Sequence, residues 1–429
     1  MNRKKIIFLA HEISPNLGSE CSSGWNIARG LSKYHDLTIV FAKTNQFQTE
    51  NYEAQINDYY ITNGIDYNAR YIAVPQPTIT RFIASVNKFI SNKKSSTGNS
   101  LLYFLAYKFW QKKAYQVFLI EHKKNTFDIA HQFNSLSFRE PGYLYKANVP
   151  LVWGPVSGLD NMPFSFLIGF PFPMLLKNMI RNLSNDVQFY TSNRIRKTIK
   201  KAKRIYAVTK MDLQKLHRLN SNTINLLDVG GIINDNQESR VYNPTEEKLR
   251  CIWVGRLDRL KALDILILSI NQSETLKQKV EILIVGDGVY KEEYVALAEK
   301  YKLNNLNFLG PVNKLVVDDL MKKSHILIHT SIKEAASAVI LEGLASGLPI
   351  VCHDAFGMSH AITENCGLKV KFSNKEESVA GFKRSLETFI DNPTLVNKLS
   401  QGAYKRAEEL SWDGIIQKIS NDYLKISNL

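Results

Sequence analysis

Charged groups placed just beyond apolar runs mark the second half of this 429-residue chain. The run Cys251-Ile-Trp-Val-Gly255-Arg256-Leu-Asp-Arg-Leu-Lys261 reads as a strand, a glycine turn and two cations five residues apart. Where a strand passes into a helix, glycine lets the backbone approach a phosphate and cations neutralise it. Alone, the same run equally describes a helix start with ordinary basic residues. Val280–Val285 leads into Gly286-Asp287-Gly288, a second close backbone approach at a strand's carboxyl end. A dinucleotide fingerprint would need glycine at 291, where Lys291 stands, so a nicotinamide reading weakens.

The segment Thr330–Val351 carries two glutamates, Glu334 and Glu342, eight residues apart. Glu334 falls in the exit loop of a buried strand. Ser337 can cap a helix that stops at Gly347, before Pro349. The unpaired N–H groups of that helix, at Ser337, Ala338 and Val339, suit a pyrophosphate. Taken singly, each glutamate also reads as an ordinary loop or helix carboxylate. Together they also admit glycoside hydrolysis. No two aspartates lie two apart, so an Asp-x-Asp metal clamp is missing; Asp318 and Asp319 are adjacent and no other pair is closer than six. Charge stabilisation then falls to Arg256, Lys261 and the helix N-terminus, and the expectation is chemistry without a metal.

Twelve short apolar runs must position these groups. Six are Ile6–Ala10, Leu37–Phe41, Tyr71–Val74, Phe127–His131, Pro150–Trp153 and Ile205–Val208. Six more are Leu249–Val254, Val280–Val285, Leu306–Leu309, His325–His329, Pro349–His353 and Leu368–Val370. Helical patterns alternate with them, which predicts an α/β protein of two doubly wound parallel sheets. Gly230-Gly231 and the polar run 234–240 suggest domains at 1–228 and 229–408, with 409–429 as a closing helix. Ligands of such sheets bind beyond the carboxyl ends of the strands, here in the cleft between two facing domains. A 44% hydrophobic and 22% charged composition excludes a disordered or fibrous chain. The four cysteines form no close pair, which fits a reducing cytoplasm. No secretory signal or membrane span is read from the chain, since the uncharged stretch 161–176 is short and holds three prolines.

Together these residues resemble the retaining glycosyltransferases of family 4, with their two-domain GT-B fold. The matching residues are Gly255-Arg256-Leu257 with Lys261, Gly286-Asp287-Gly288, Gly310, and Glu334 with Glu342 inside Leu-Glu-Gly-Leu-Ala-Ser-Gly-Leu-Pro. Gly18-Ser19-Glu20 with Gly24-Trp25, Asp128-Ile-Ala-His131, Trp153-Gly-Pro-Val-Ser-Gly158 and Trp412-Asp413 extend the resemblance over nearly the whole chain. It implies that Arg256 and Lys261 hold the diphosphate of a nucleotide-sugar donor, with Gly255 and Gly286 lining it. Glu342 would bind the ribose hydroxyls, Glu334 the transferred sugar, and His131 would sit near that sugar. The loop at Gly18 and Ser19 would close from the other domain. Alanines at 262 and 335 stand where relatives often have glycine, and the pocket survives there if the local φ is negative. The expected activity is hexosyl transfer with retained anomeric configuration, building a surface polysaccharide such as lipopolysaccharide or capsule.

The net charge of +15 is uneven: residues 81–124 and 177–204 each carry +8. These stretches interleave cations with apolar stripes, for instance at 79, 82, 83, 86, 89 and 90. The reading is peripheral contact with an anionic membrane face, suited to a lipid-linked saccharide or other glycan acceptor. Nucleic acid is not expected, because no recognised binding module accompanies the charge. Competing readings are a dehydrogenase, a glycoside hydrolase, and a non-catalytic membrane-associated nucleotide-binding module on the same fold.

Overall fold

The computed structural model describes residues 3–64, 68–91, 98–133, 137–168, 170–233 and 240–427, with Ser19 described by its backbone alone. Most of the polar run expected at the domain boundary, 234–239, lies outside the described residues. Two parallel sheets are present. The first contains β1 (Lys5–Ala10), β2 (Asp36–Ala42), β3 (Ala69–Val74), β4 (Ile129–Phe133), β5 (Leu151–Val156), β6 (Ala202–Ala207) and β7 (Thr223–Asn225), in the order β3-β2-β1-β4-β5-β6-β7. The second contains β8 (Leu249–Val254), β9 (Val280–Val285), β10 (Leu306–Gly310), β11 (Ile326–His329), β12 (Ile350–His353) and β13 (Gly367–Val370), in the order β10-β9-β8-β11-β12-β13. Each of the twelve expected runs overlaps a strand, with ends displaced by one to three residues in places, as at Phe127–His131, which starts two residues before β4. The thirteenth strand, β7, has three residues, too few to show a pattern.

Central strands such as β4, β5, β11 and β12 are buried along their whole length. A strand covered on both faces favours apolar residues on both sides, with the few polar ones, such as His131 and Gln132, buried, which is why these segments read as runs rather than alternations. Strand order reverses between β1 and β4 and between β8 and β11. Crossovers leave such points on opposite faces, so a crevice opens beyond their carboxyl ends. The loops that carry Glu12, Gly255 and Glu334 leave the sheets there.

Besides the bonds of Lys210 to Asp354 and to the Phe356 carbonyl, three segments tie the two domains among the described residues. One is the linker after β7. A second is the helix Trp412–Ile426, whose Ile415, Ile416, Ile419 and Tyr423 join the first domain's core. Its Asp422 accepts hydrogen bonds from Tyr206 Oη (3.0 Å) and Arg204 (3.2 Å) of β6. The third is the strap 162–175, early in the chain, whose Met162, Phe166 and Leu167 pack in the second domain's core. Phe166 stacks on Phe372 with ring centroids 4.4 Å apart, and Ser165 Oγ donates to the Ser373 carbonyl (2.7 Å).

Candidate functional site

Three strand-exit loops of the second domain are knitted together by their backbones. Gly255 N–H donates to Val285, Gly286 N–H to Gly310, and Leu257 N–H to Asp287, all at 2.9–3.0 Å. Gly286 has φ +135°, and a Cβ there would stand 1.9 Å from the Gly255 carbonyl oxygen. Only glycine satisfies both the conformation and the space. The loops thus present main chain rather than side chains at the strand ends. Arg256 projects from this surface with its side chain 78% exposed, held only by Asp258 at 3.2 Å.

Lys261 and Glu334, 73 residues apart in sequence, meet here: Lys261 Nζ lies 2.5 Å from Glu334 Oε2, each side chain 19% exposed. Asp258 Oδ1 accepts from the Lys261 amide (3.0 Å), and Thr330 Oγ1 donates to the Lys261 carbonyl (2.7 Å). These bonds fix the lysine from both ends of its peptide. His329, at the end of β11, points Nε2 to within 3.9 Å of the same glutamate oxygen. Burial, with Lys261 and His353 nearby, pushes its imidazole well below the ordinary range, so it stays neutral. Ala262 departs from expectation. Its φ is +49°, in the left-handed region, so the condition of a negative φ fails at this position. The two bonds to Lys261 and a third from Ile265 N–H to the Ala262 carbonyl (3.1 Å) hold the strained turn. Ala335 has no such positive φ.

Ser337 stands at the N-cap of the helix Ala338–Ala345, yet its hydroxyl makes no capping bond. Its carbonyl accepts from Ile340 and Leu341, while the amides of Ala338 and Val339 find no protein acceptor among the described residues. Glu342, one turn further, is paired with Lys314 Nζ at 3.0 Å. Burial works against the Lys314 charge, but Asp318 and Glu342 outweigh it and raise the ammonium above its ordinary value. Lys314 was not anticipated, because nothing in sequence links it to Glu342.

The first domain contributes carboxylates. Gly18, with open space where a Cβ would be, caps the helix Ser19–Ser32. Ser23 Oγ on that helix donates to the Asp228 carbonyl (2.5 Å), tying it to the interdomain linker. The Asp228 carboxyl is buried, its Oδ1 has no partner among the described residues, and burial with the nearby Glu334 raises it to about 6. Glu20 is raised well above the carboxylate range by burial and by Glu12 and Asp228. Burial opposes ionisation of Glu12 as well, but His11 and Tyr103, whose Oη donates to it at 2.7 Å, bring it down. The pair is thus pushed apart, Glu12 toward the ionised form and Glu20 toward the protonated one. Of these acids only Glu20 lay in a quoted motif.

His131 is corrected. It lies in the sheet core with no exposed surface, not against a cleft ligand. Its Nε2 donates to the Gly154 carbonyl (2.7 Å) and its Nδ1 accepts from Tyr423 Oη (2.5 Å). Burial lowers it to about 4. Both nitrogens are used by the fold, so it anchors the returning helix. The geometry otherwise brings together a cation, a carboxylate, three main-chain loops and a helix N-terminus, a set able to receive a phosphorylated sugar.

Residues 234–406 match the family model described as glycosyl transferases group 1. A D-inositol 3-phosphate glycosyltransferase of Streptomyces griseus is 25% identical over 178 residues, 39% of this chain, and the chain spans only 37% of that relative's length. Among solved structures, the lipopolysaccharide outer core galactosyltransferase WaaB in its apo form superposes with TM-score 0.61 at 13% identity, covering 99% of this chain and 100% of that chain. Anabaena HepE in complex with UDP superposes with TM-score 0.53 at 15% identity, covering 98% and 100%. Residues 234–406 are therefore similar to the glycosyl transferases group 1 domain, and the molecule has the GT-B fold.

Proposed function

We propose that this protein transfers a hexosyl group from a nucleoside-diphosphate sugar to a glycan or lipid-linked saccharide, with retention and without a metal, at the cytoplasmic membrane face. The observation that carries the reading is the Lys261–Glu334 pair beside the unpaired amides of Ala338 and Val339. A similar structure, HepE, holds UDP. In this reading donor binding shifts Lys261 onto the diphosphate, and Arg256 swings in from solvent. The bond between the sugar's C1 and the phosphate oxygen breaks with its electron pair going to the diphosphate. The acceptor oxygen bonds C1 on the same face, and its proton passes to the departing phosphate oxygen. Lys261 and the helix N-terminus stabilise that departing charge. Glu334, released from Lys261, orients the sugar hydroxyls, and Glu342 takes the ribose.

Calorimetric titration with UDP, GDP, ADP and NAD, each with and without EDTA, tests the reading. The expected result is one nucleoside diphosphate bound equally well in EDTA, with affinity falling at least tenfold in Lys261→Ala and Arg256→Ala. Binding of NAD alone, or of none of the four, overturns it. Binding without turnover of any sugar donor would favour the non-catalytic module.

A further inference from the structure

We propose that the outward face of the helix Phe172–Thr191 docks on an anionic lipid bilayer. This helix is built inside out. Phe172, Leu176, Met179, Ile180, Leu183 and Val187 fall within about 100° of arc at about 3.6 residues per turn, and all are 44–73% exposed. The opposite face turns amides toward the protein. Asn178 and Asn185 are buried, Asn182 Nδ2 donates to the Met162 carbonyl (2.9 Å), and Asn185 Nδ2 donates to Asn161 Oδ1 (3.2 Å). Arg139 bonds Asn185 and Gln188 on the same side. A helix that buries amides and exposes hydrocarbon has its apolar partner outside the molecule. The helix Thr78–Ile90 repeats the inversion: Phe82 and Phe89 are 65% and 90% exposed while Thr80 and Asn87 are buried.

Charge selects the partner. The exposed Lys177 borders the apolar face, and the stretches 81–124 and 177–204, which overlap these two helices, each carry +8. An anionic bilayer offers hydrocarbon and negative headgroups together. A second copy of the chain would bring the same positive field against itself. Among the described residues no helix is long and apolar enough to cross a membrane, so the helix lies along the surface. The same helix also adjoins the candidate site. Burial, Arg181 and Lys177 together lower Lys333, the neighbour of Glu334, to about 8, which places all three cations in one field. A lipid-linked acceptor would meet them on its way to Glu334, the one step here that rests on the proposed transferase reading.

Flotation of the full chain with phosphatidylcholine vesicles, with and without phosphatidylglycerol, tests the docking and needs no donor. Binding is expected only with phosphatidylglycerol and is expected to weaken as salt rises. The double variant Ile180→Asp/Leu183→Asp should lose at least tenfold in vesicle binding while keeping its thermal midpoint and its nucleotide affinity. Phe82→Asp/Phe89→Asp should lose part of the binding independently. Full binding by both variants overturns the proposal. So does concentration-dependent dimerisation that Ile180→Asp/Leu183→Asp abolishes while vesicles bind neither form, which would assign the face to a second copy.

Discussion

The Asp228 carboxyl shows how a single buried group ties the site to stability. It sits at about 6 in the folded protein because burial and Glu334 disfavour its charge, against an ordinary value near 3.9 in the unfolded chain. The folded state therefore holds the extra proton between about pH 4 and pH 6, and stability declines as pH rises through that window. Above it the ionised, partly unpartnered carboxylate costs on the order of 2–3 kcal/mol. Asp228→Asn keeps the shape and removes the charge. It should be more stable than the parent at pH 7.5, with the gap closing as pH falls to about 4. Thermal melts across that range measure it; a gap of the same size at every pH would mean that titration has no part in it. Residue roles of this kind were poorly legible in sequence. Lys261 and Glu334 were each singled out by their place after a strand, but their pairing was not, since only the fold joins residues on two different strand exits. Lys314 and Asp228 belong to other elements, and no local pattern points from either to the glutamate it faces.

Elements were easier to read, for a physical reason. Parallel strands covered on both faces are mostly apolar, so segments such as Ile6–Ala10 and Val280–Val285 announce themselves, whereas Thr223–Asn225 is too short to do so. The helix Phe172–Thr191 was harder, because periodicity shows that a face is apolar but not whether it turns inward. The return of the last helix offers a test at this scale. Gly30 lies in the last turn of the helix Ser19–Ser32, where alanine would ordinarily gain up to about 1 kcal/mol. A Cβ there would fall 1.9 Å from Ile416 Cδ1 and 2.6 Å from its Cγ1. Ile416 is β-branched and buried, so it has little room to turn aside. Packing should therefore reverse the sign of the propensity effect, and Gly30→Ala should lose roughly 1–3 kcal/mol. Denaturant unfolding reads this directly. A gain in stability would show that the helix Trp412–Ile426 does not hold this position against the first domain.

At the scale of the whole molecule, the question is how two domains with separate cores share one cleft. The linker and the returning helix join them where Gly231 pairs with Ser411, but the strap 162–175 joins them beside the candidate site. Phe166 is the strap's anchor, 5% exposed, stacked on Phe372 and edge-on to His353. Its removal takes a buried ring from a core to which its own domain otherwise contributes little. Phe166→Ala should cost about 3–5 kcal/mol, the usual range for emptying such a site. The location of that cost is the informative part. If the strap is integral to the second core, hydrogen exchange should accelerate across β12, β13 and the loop at Phe372, some 200 residues away in sequence. Exchange confined to the strap itself would show a surface segment resting on a finished domain. In the first case the strap links Phe172–Thr191 mechanically to the sheet that carries Glu334, and engagement of that helix would bear on how the two domains face each other across the site.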